Sequence, residues 1–132
     1  MVQLEGTYQF VSEQGYKDYL KTFGAADEAV EKLAASTEPV VISSVTSDSI
    51  TINYGTNDHV LPLGKQTEIS LSAGRSVKVT PTVSGDTITM NSVFGTKPEI
   101  TEEKILKVTD SGLTATSTNS KGGKAVRNYT RA

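Results

Sequence analysis

The strongest chemical feature of the chain is a cation and a phenol two residues apart near its C-terminal end. Segment Lys124–Arg131 alternates as a β-strand does, so Arg127 and Tyr129 project from one face. A guanidinium beside a phenol hydroxyl can hold a carboxylate by charge-assisted hydrogen bonds, most strongly inside a barrel away from water. On the outer face the same pair is a solvated surface feature, because arginine is seldom buried without a partner. The direction of this face therefore decides whether a site exists here.

Composition limits the class of partner. The chain has 132 residues, a formal net charge of −2 and 21% charged residues, with no basic stripe interleaved with aromatics. Nucleic acid and anionic membranes are therefore not expected as main partners. There is no cysteine, and His59 is the only histidine, so thiol chemistry and a histidine cluster are excluded. We expect no metal and no cofactor in a single domain spanning 1–132.

The first residues carry no sign of a targeting segment. Met1 to Gly6 contains no basic stretch followed by an apolar one, and no window of the sequence has the length of a membrane-spanning helix. These observations predict a cytosolic protein.

The period of the apolar residues changes early in the chain. Residues 4–11 suit a first strand, with Tyr8 and Phe10 on one face. From residue 14 the apolar side chains recur at helical spacing, as they do again after Asp27, and Gly24 can end the first helix. The pattern predicts a helix-turn-helix lid over about 14–36.

From Pro39 onward the sequence is typical of strand after strand. Turn signals divide this part into eight strands, and with the first strand the count is nine or ten. A meander of that size must close or split to hide its edges, which predicts an antiparallel β-barrel. The turn signals are Ser47-Asp48, 55–58, Ala73-Gly74, 84–86, 95–98, 110–112 and 121–123.

The interior of such a barrel is expected to be wet. Only 36% of residues are hydrophobic, and the strand beginning at Gly112 is rich in hydroxyls, with Thr114, Thr116 and Thr118 on one face. Hydroxyls without partners cannot form a solid core, so these strands either face solvent on both sides or line a cavity holding water. Pro62 lacks a backbone donor, which predicts that its strand borders an edge or a gap.

These features together resemble the intracellular lipid-binding proteins, a family that includes fatty-acid-binding, bile-acid-binding and retinoid-binding members. The resemblance covers the whole chain. It is strongest in Gly6–Phe10 followed by Gly15–Leu20, and extends to the Gly-containing turn of Leu61–Ile69 and the closing Arg127-Asn128-Tyr129. Lys17 stands where the family usually has an acid.

The resemblance implies a ten-stranded β-clam, an up-and-down barrel of two near-orthogonal five-stranded sheets, related to calycins, with a helix-turn-helix lid and a gap between its fourth and fifth strands. It also implies that Arg127 and Tyr129 point inward and hold a ligand carboxylate. The family's usual second arginine has no match, since Leu106 or Lys107 occupies its approximate place. This departure, with the hydroxyl-rich strand, suggests the liver-type or bile-acid-binding branch.

Two groups of side chains are predicted to surround the ligand. Alternation places His59 on the face of Leu61, although a solvent-exposed loop histidine is the alternative. The expected ligand-binding set is Arg127, Tyr129, Tyr16, Leu20, Ile50, Ile52, Tyr54, His59, Ile69, Leu71, Thr116 and Thr118. The expected portal consists of Phe23, Val30, Leu33, Asn57 and Ala73.

The leading hypothesis is a monomeric, non-enzymatic carrier of a long-chain fatty acid, touching membranes at most transiently through its lid. A bile acid or other steroid-like ligand, or a retinoid, is the alternative within the same class. A barrel enzyme acting on lipid is a different class, and no paired acid and base supports it. A barrel with a filled interior, serving as an interaction module, would take up no ligand.

Overall fold

The computed structural model describes residues 3–22, 24, 26–35, 39–53, 58–70, 76–94 and 100–132. Ten strands and two short helices account for most of this part of the chain. The elements are β1 (Gly6–Gln14), α1 (Tyr16–Lys21), α2 (Asp27–Ala34), β2 (Val40–Val45), β3 (Ser49–Asn53), β4 (Asp58–Pro62), β5 (Thr67–Ser70), β6 (Ser76–Ser84), β7 (Thr87–Phe94), β8 (Ile100–Val108), β9 (Gly112–Asn119) and β10 (Lys124–Arg131).

The strands form one antiparallel meander that curls into a nearly closed barrel. Their order is β4-β3-β2-β1-β10-β9-β8-β7-β6-β5, so the first strand pairs with the last while β4 and β5 are the two edges. Pro62 lies on β4, opposite Ser49 of β3, which confirms the predicted edge strand and gap. The ten-stranded clam with a helix-turn-helix lid is confirmed.

The junction between β1 and α1 differs from the sequence-based boundaries. β1 continues to Gln14 and the helix begins at Tyr16, two residues later than the apolar spacing predicted. Gly15 separates them with φ of 71°, a left-handed conformation that disfavours any residue with a Cβ. Within the described residues, neither helix is long and apolar enough to cross a membrane.

A single face of the sheet carries the core, and we call it the lumen face. Because paired residues on neighbouring antiparallel strands share a face, the register extends this assignment around the barrel. Ile52, Ile88 and Val108 are fully buried on it. Other members of the buried cluster are Leu4, Tyr8, Val40, Ile42, Ile50, Leu61, Val77, Val79, Met90, Leu106, Leu113 and Ala115.

Arg131 connects three segments of the chain at one end of the barrel. Its Nη2 donates to the backbone oxygens of Gln3 and Thr109 at 2.7 and 3.2 Å, and its Nη1 donates to that of Glu5 at 3.2 Å. Its Cζ lies 5.0 Å from the ring centroid of Tyr8, the residue opposite it on β1. One side chain therefore joins the N-terminal segment, the β8–β9 turn and the last strand.

Replacement of Arg131 by Met should lower the free energy of unfolding by about 2–3 kcal/mol. The three hydrogen bonds from the charged guanidinium are lost, and their backbone carbonyl acceptors lose this donor. Urea denaturation measures this change. Lys124→Met is the matched control, since Lys124 is exposed on the same strand, and it should change stability by less than about 0.5 kcal/mol. Equal effects of the two substitutions would contradict the role given to Arg131.

Candidate functional site

Arg127 lies on the lumen face between the barrel wall and the lid. Its Cζ is 4.4 Å from the ring centroid of Phe10 on β1 and 4.5 Å from that of Tyr16, the first residue of α1. Its Nε atom is buried. Both ring faces attract the guanidinium charge, and the attraction is stronger where water is excluded. The cation is therefore held where strand and lid meet.

A β-bulge in β1 creates this arrangement. Phe10 is opposite Tyr129 on β10, the register then shifts between Phe10 and Ser12, and Glu13 consequently comes opposite Arg127. Without the extra residue, Glu13 would occupy the outer face. The Glu13 carboxylate accepts the backbone N–H of Tyr16 at 3.0 Å, so it holds the first turn of α1 above Arg127.

Tyr129 completes the cluster. Its ring meets that of Phe10 edge to face, with centroids 5.9 Å apart, and it packs against the buried core. Burial raises the pKa of Tyr129 above the usual 10.0, and the positive charges of Arg127 and Lys104 partly oppose this rise. The phenol is therefore neutral at physiological pH and can donate its proton in a hydrogen bond.

Lys104 is a lumen-face residue that the sequence reasoning missed. It is opposite Met90 on β7 and Ser117 on β9, both buried, and it shares its face with Leu106 and Val108. Lys107, by contrast, lies on the outer face and pairs with Asp86 at 3.2 Å. The sequence does place Lys104 on the same strand face as Leu106 and Val108. Because Ile105 is also apolar and lies on the other face, this alternation did not indicate which face is inward.

A buried hydrogen bond anchors the lid to the barrel. The hydroxyl of Tyr19 on α1 donates to Oε2 of Glu102 on β8, and both side chains are buried, with 2% and 9% exposed. Beside it, Nδ2 of Asn119 donates to Oγ1 of Thr22 at 2.6 Å. These contacts fasten α1 to the ends of β8 and β9.

The lumen face of the wall formed by β3, β4 and β5 is mostly apolar. Ile50 and Ile52 are buried on the lumen face, and His59 is opposite Ile52 on β4. Ile69 of β5 is partly buried against the same core. A groove of about 340 Å³ opens between the two edge strands, along residues 58–61 and 67–69. His59 therefore lies on the lumen side of an opening in the wall.

The remaining predicted residues divide into two groups. In the lid, Tyr16 and Leu20 are partly buried and Val30 is fully buried. Outside the described part of the chain lie Phe23, Tyr54, Asn57, Leu71, Ala73 and the side chain of Leu33. The described residues contain no group of three or more acidic or histidine side chains placed to hold a metal ion.

Thr116 and Thr118 were predicted on the lumen face, and this prediction is wrong. Ala115 is opposite Arg127, so Thr116, opposite Val126, and Thr118, opposite Lys124, lie on the outer face. Strand alternation was correct, but the sequence alone could not fix which face turned inward. The hydroxyl-rich wall that suggested the liver-type or bile-acid-binding branch therefore does not line the lumen.

The fold and the lumen-face cluster define a helix-capped, ten-stranded β-clam. The fatty-acid-binding protein isolated from Manduca sexta has this fold, with a TM-score of 0.81, 22% identity and coverage of 98% of this chain and 99% of that one. The fatty acid-binding protein of Tyrophagus putrescentiae is 30% identical over 135 residues, covering 99% of both chains. Fatty acid-binding protein 12 of Rattus norvegicus is 32% identical over 90 residues, covering 65% of this chain and 67% of its own.

No family model matches the sequence. The full-length similarity nevertheless establishes that the chain belongs to the fatty acid-binding protein family.

Tyr19→Phe should lower the free energy of unfolding by about 1–3 kcal/mol, because the buried carboxylate of Glu102 loses its donor. Chemical denaturation measures the effect. Glu103→Gln is the control, since the exposed Glu103 is adjacent on the outer face and should change stability by less than about 0.5 kcal/mol. A Tyr19→Phe protein as stable as the wild type would show that this hydrogen bond makes no net contribution.

Stability should fall as the pH rises above about 10. Burial raises the pKa of Tyr8, Tyr19 and Tyr129 above 10.0, and for Tyr19 the neighbouring carboxylate of Glu102 adds to the effect. The folded state therefore keeps phenolic protons that the unfolded chain releases, so their contribution is complete below pH 10 and is lost above it. Denaturation across this range should give a shallower fall for Tyr19→Phe, and parallel curves would contradict the assignment.

Proposed function

We propose that the chain is a cytosolic, monomeric, non-enzymatic carrier that binds a long-chain fatty acid inside the barrel, with the carboxylate held by Arg127 and Tyr129. The observation that carries this proposal is the position of Arg127 on the lumen face, against Phe10 and Tyr16 and beside Tyr129. Relatives named fatty acid-binding proteins support the same ligand class.

Most of the affinity in this proposal comes from burial of the acyl chain. Apolar surface removed from water contributes about 25 cal/mol per Å², and Ile50, Ile52 and Ile69 supply apolar partners on the wall away from the cation. The polar cluster then discriminates, because a charged donor and a neutral phenol favour a carboxylate over a hydroxyl or an ester. His59, on the same wall, is proposed to contact the ligand.

The charges on the lumen face fit an anionic head group. Glu13 and Glu102 accept hydrogen bonds from the backbone of Tyr16 and from the hydroxyl of Tyr19, which directs both acids towards the lid. Lys104 and Arg127 lie on the same face of the sheet as Tyr129, and the positive charge of each opposes the rise in the pKa of its phenol. In this proposal Lys104 supplies the second positive charge in place of the missing arginine.

Uptake in this proposal passes beneath the lid. Val30, a predicted portal residue, lies on α2 and is fully buried. Phe23, Leu33, Asn57 and Ala73 complete the portal in this proposal. The lid carries Lys17, Lys21 and Lys32 against Asp18, Asp27, Glu28 and Glu31, so it offers no excess of positive charge for a lasting contact with an anionic bilayer.

Arg127→Met should weaken oleate binding by about 10- to 100-fold, because hydrogen bonds from a charged donor to the carboxylate are lost. Binding of oleyl alcohol should change by less than about threefold, since its chain is buried in the same way. Titration calorimetry with both ligands measures the ratio. Lys107→Met is the control, because Lys107 pairs with Asp86 on the outer face and both ligands should bind as in the wild type.

Normal oleate binding by Arg127→Met would overturn the head-group assignment. Mass spectrometry of lipids that co-purify with the protein tests the ligand class independently. Fatty acids should predominate, whereas a bile-salt-like or neutral lipid would contradict the proposal, and an absence of oleate binding by the wild type would reject the carrier role altogether.

A further inference from the structure

We propose that Tyr16 is a positioning residue for Arg127, so that binding of an anionic head group in the lumen and docking of the lid stabilise each other. This inference rests on the proposed function, because it concerns the same head-group site. It adds a coupling between that site and α1, and it makes the lid respond to the charge of the ligand rather than to its acyl chain alone.

The geometry places one cation in contact with two separate elements. Cζ of Arg127 lies at nearly equal distances from the rings of Phe10, in the wall, and Tyr16, in the lid. A ring face attracts the charge of the guanidinium, whereas a carboxylate is bound by its N–H groups. A bound head group and the Tyr16 contact are therefore compatible, and both act on the same side chain.

The position of Tyr16 is fixed by its own backbone. Its N–H is held by Glu13 at 3.0 Å, Gly15 makes the left-handed turn before it, and the oxygen of Gly15 accepts the N–H of Tyr19 at 2.9 Å. A Cβ on residue 15 would lie 3.1 Å from the backbone oxygen of Lys124, so the junction packs closely against β10. Movement of the Tyr16 backbone therefore requires movement of the first turn of α1.

The coupling is expected to be favourable because a bound carboxylate orders the side chain of Arg127. A long arginine side chain loses rotamer freedom when it is fixed, and a carboxylate bound to its N–H groups imposes part of that loss. The Tyr16 ring then docks on a cation that is already oriented, so less entropy remains to be lost. By linkage, the factor by which the lid contact strengthens head-group binding is the factor by which the head group stabilises the lid.

The first test compares two substitutions of Tyr16. Tyr16→Phe keeps the ring, whereas Tyr16→Leu keeps an apolar side chain without a π face. We expect Tyr16→Leu to weaken oleate binding by about three- to tenfold and oleyl alcohol binding by less than about twofold, while Tyr16→Phe binds both as the wild type does. Leu20→Ala, in the same helix, should weaken both ligands by the same factor because it removes only apolar surface.

The second test measures the lid directly by hydrogen exchange of the α1 amides, Tyr16–Lys21. Saturating oleate should slow their exchange in the wild type and in Tyr16→Phe. The fold slowing should be about equal to the factor by which Tyr16→Leu weakens oleate binding. Saturating oleyl alcohol should slow it much less, and in Tyr16→Leu the two ligands should have equal effects. This readout distinguishes coupling from general loosening of the helix, which would speed exchange with and without ligand and would leave the difference between oleate and oleyl alcohol in place.

The outcomes separate this inference from the proposed function. If oleate binds and Arg127→Met weakens it, but Tyr16→Leu affects acid and alcohol alike, the coupling is overturned and the carrier role stands. Equal loss in Tyr16→Phe and Tyr16→Leu would also overturn it, because the ring would then not be the relevant group. If the wild type binds no oleate, the proposed function itself fails.

Discussion

The pairing of the first strand with the last is the interaction on which the rest of this structure depends. It closes the barrel and, through the bulge after Phe10, sets which residues of β1 face β10. Phe10 thereby meets Tyr129, and Glu13 comes opposite Arg127 just before the chain enters the lid. A single extra residue thus determines the surroundings of the cation and the place where α1 begins, because each step along a strand reverses the face.

The polar groups on the lumen face are arranged as contacts between lid and wall. Glu13 holds the start of α1, Tyr19 reaches Glu102 on β8, and Arg127 lies against Tyr16. In surroundings of low dielectric constant such contacts are strong when satisfied and costly when broken. These contacts consequently fasten α1, the first helix of the lid, to the barrel wall.

Local sequence patterns predict the architecture of this protein better than they predict which residues face inward. The meander, the helix pair, the edge position of Pro62 and the family followed from turn signals, periodicity and short motifs, which are local properties. The placement of Thr116 and Thr118 failed because alternation groups residues by face without naming the inner one. Lys104 was missed for the same reason, since apolar residues occur on both faces of β8.

The sequence by itself therefore determined the class of fold, the family and the pairing of Arg127 with Tyr129 on one face. Only the tertiary structure decided that this face is the one bearing the core, that Tyr16 from the lid and Phe10 from the wall lie over the same guanidinium, and that Lys104 shares their side. The physical reason is that local spacing fixes relative orientation within a strand, whereas inward and outward are defined only when distant strands close around a common interior.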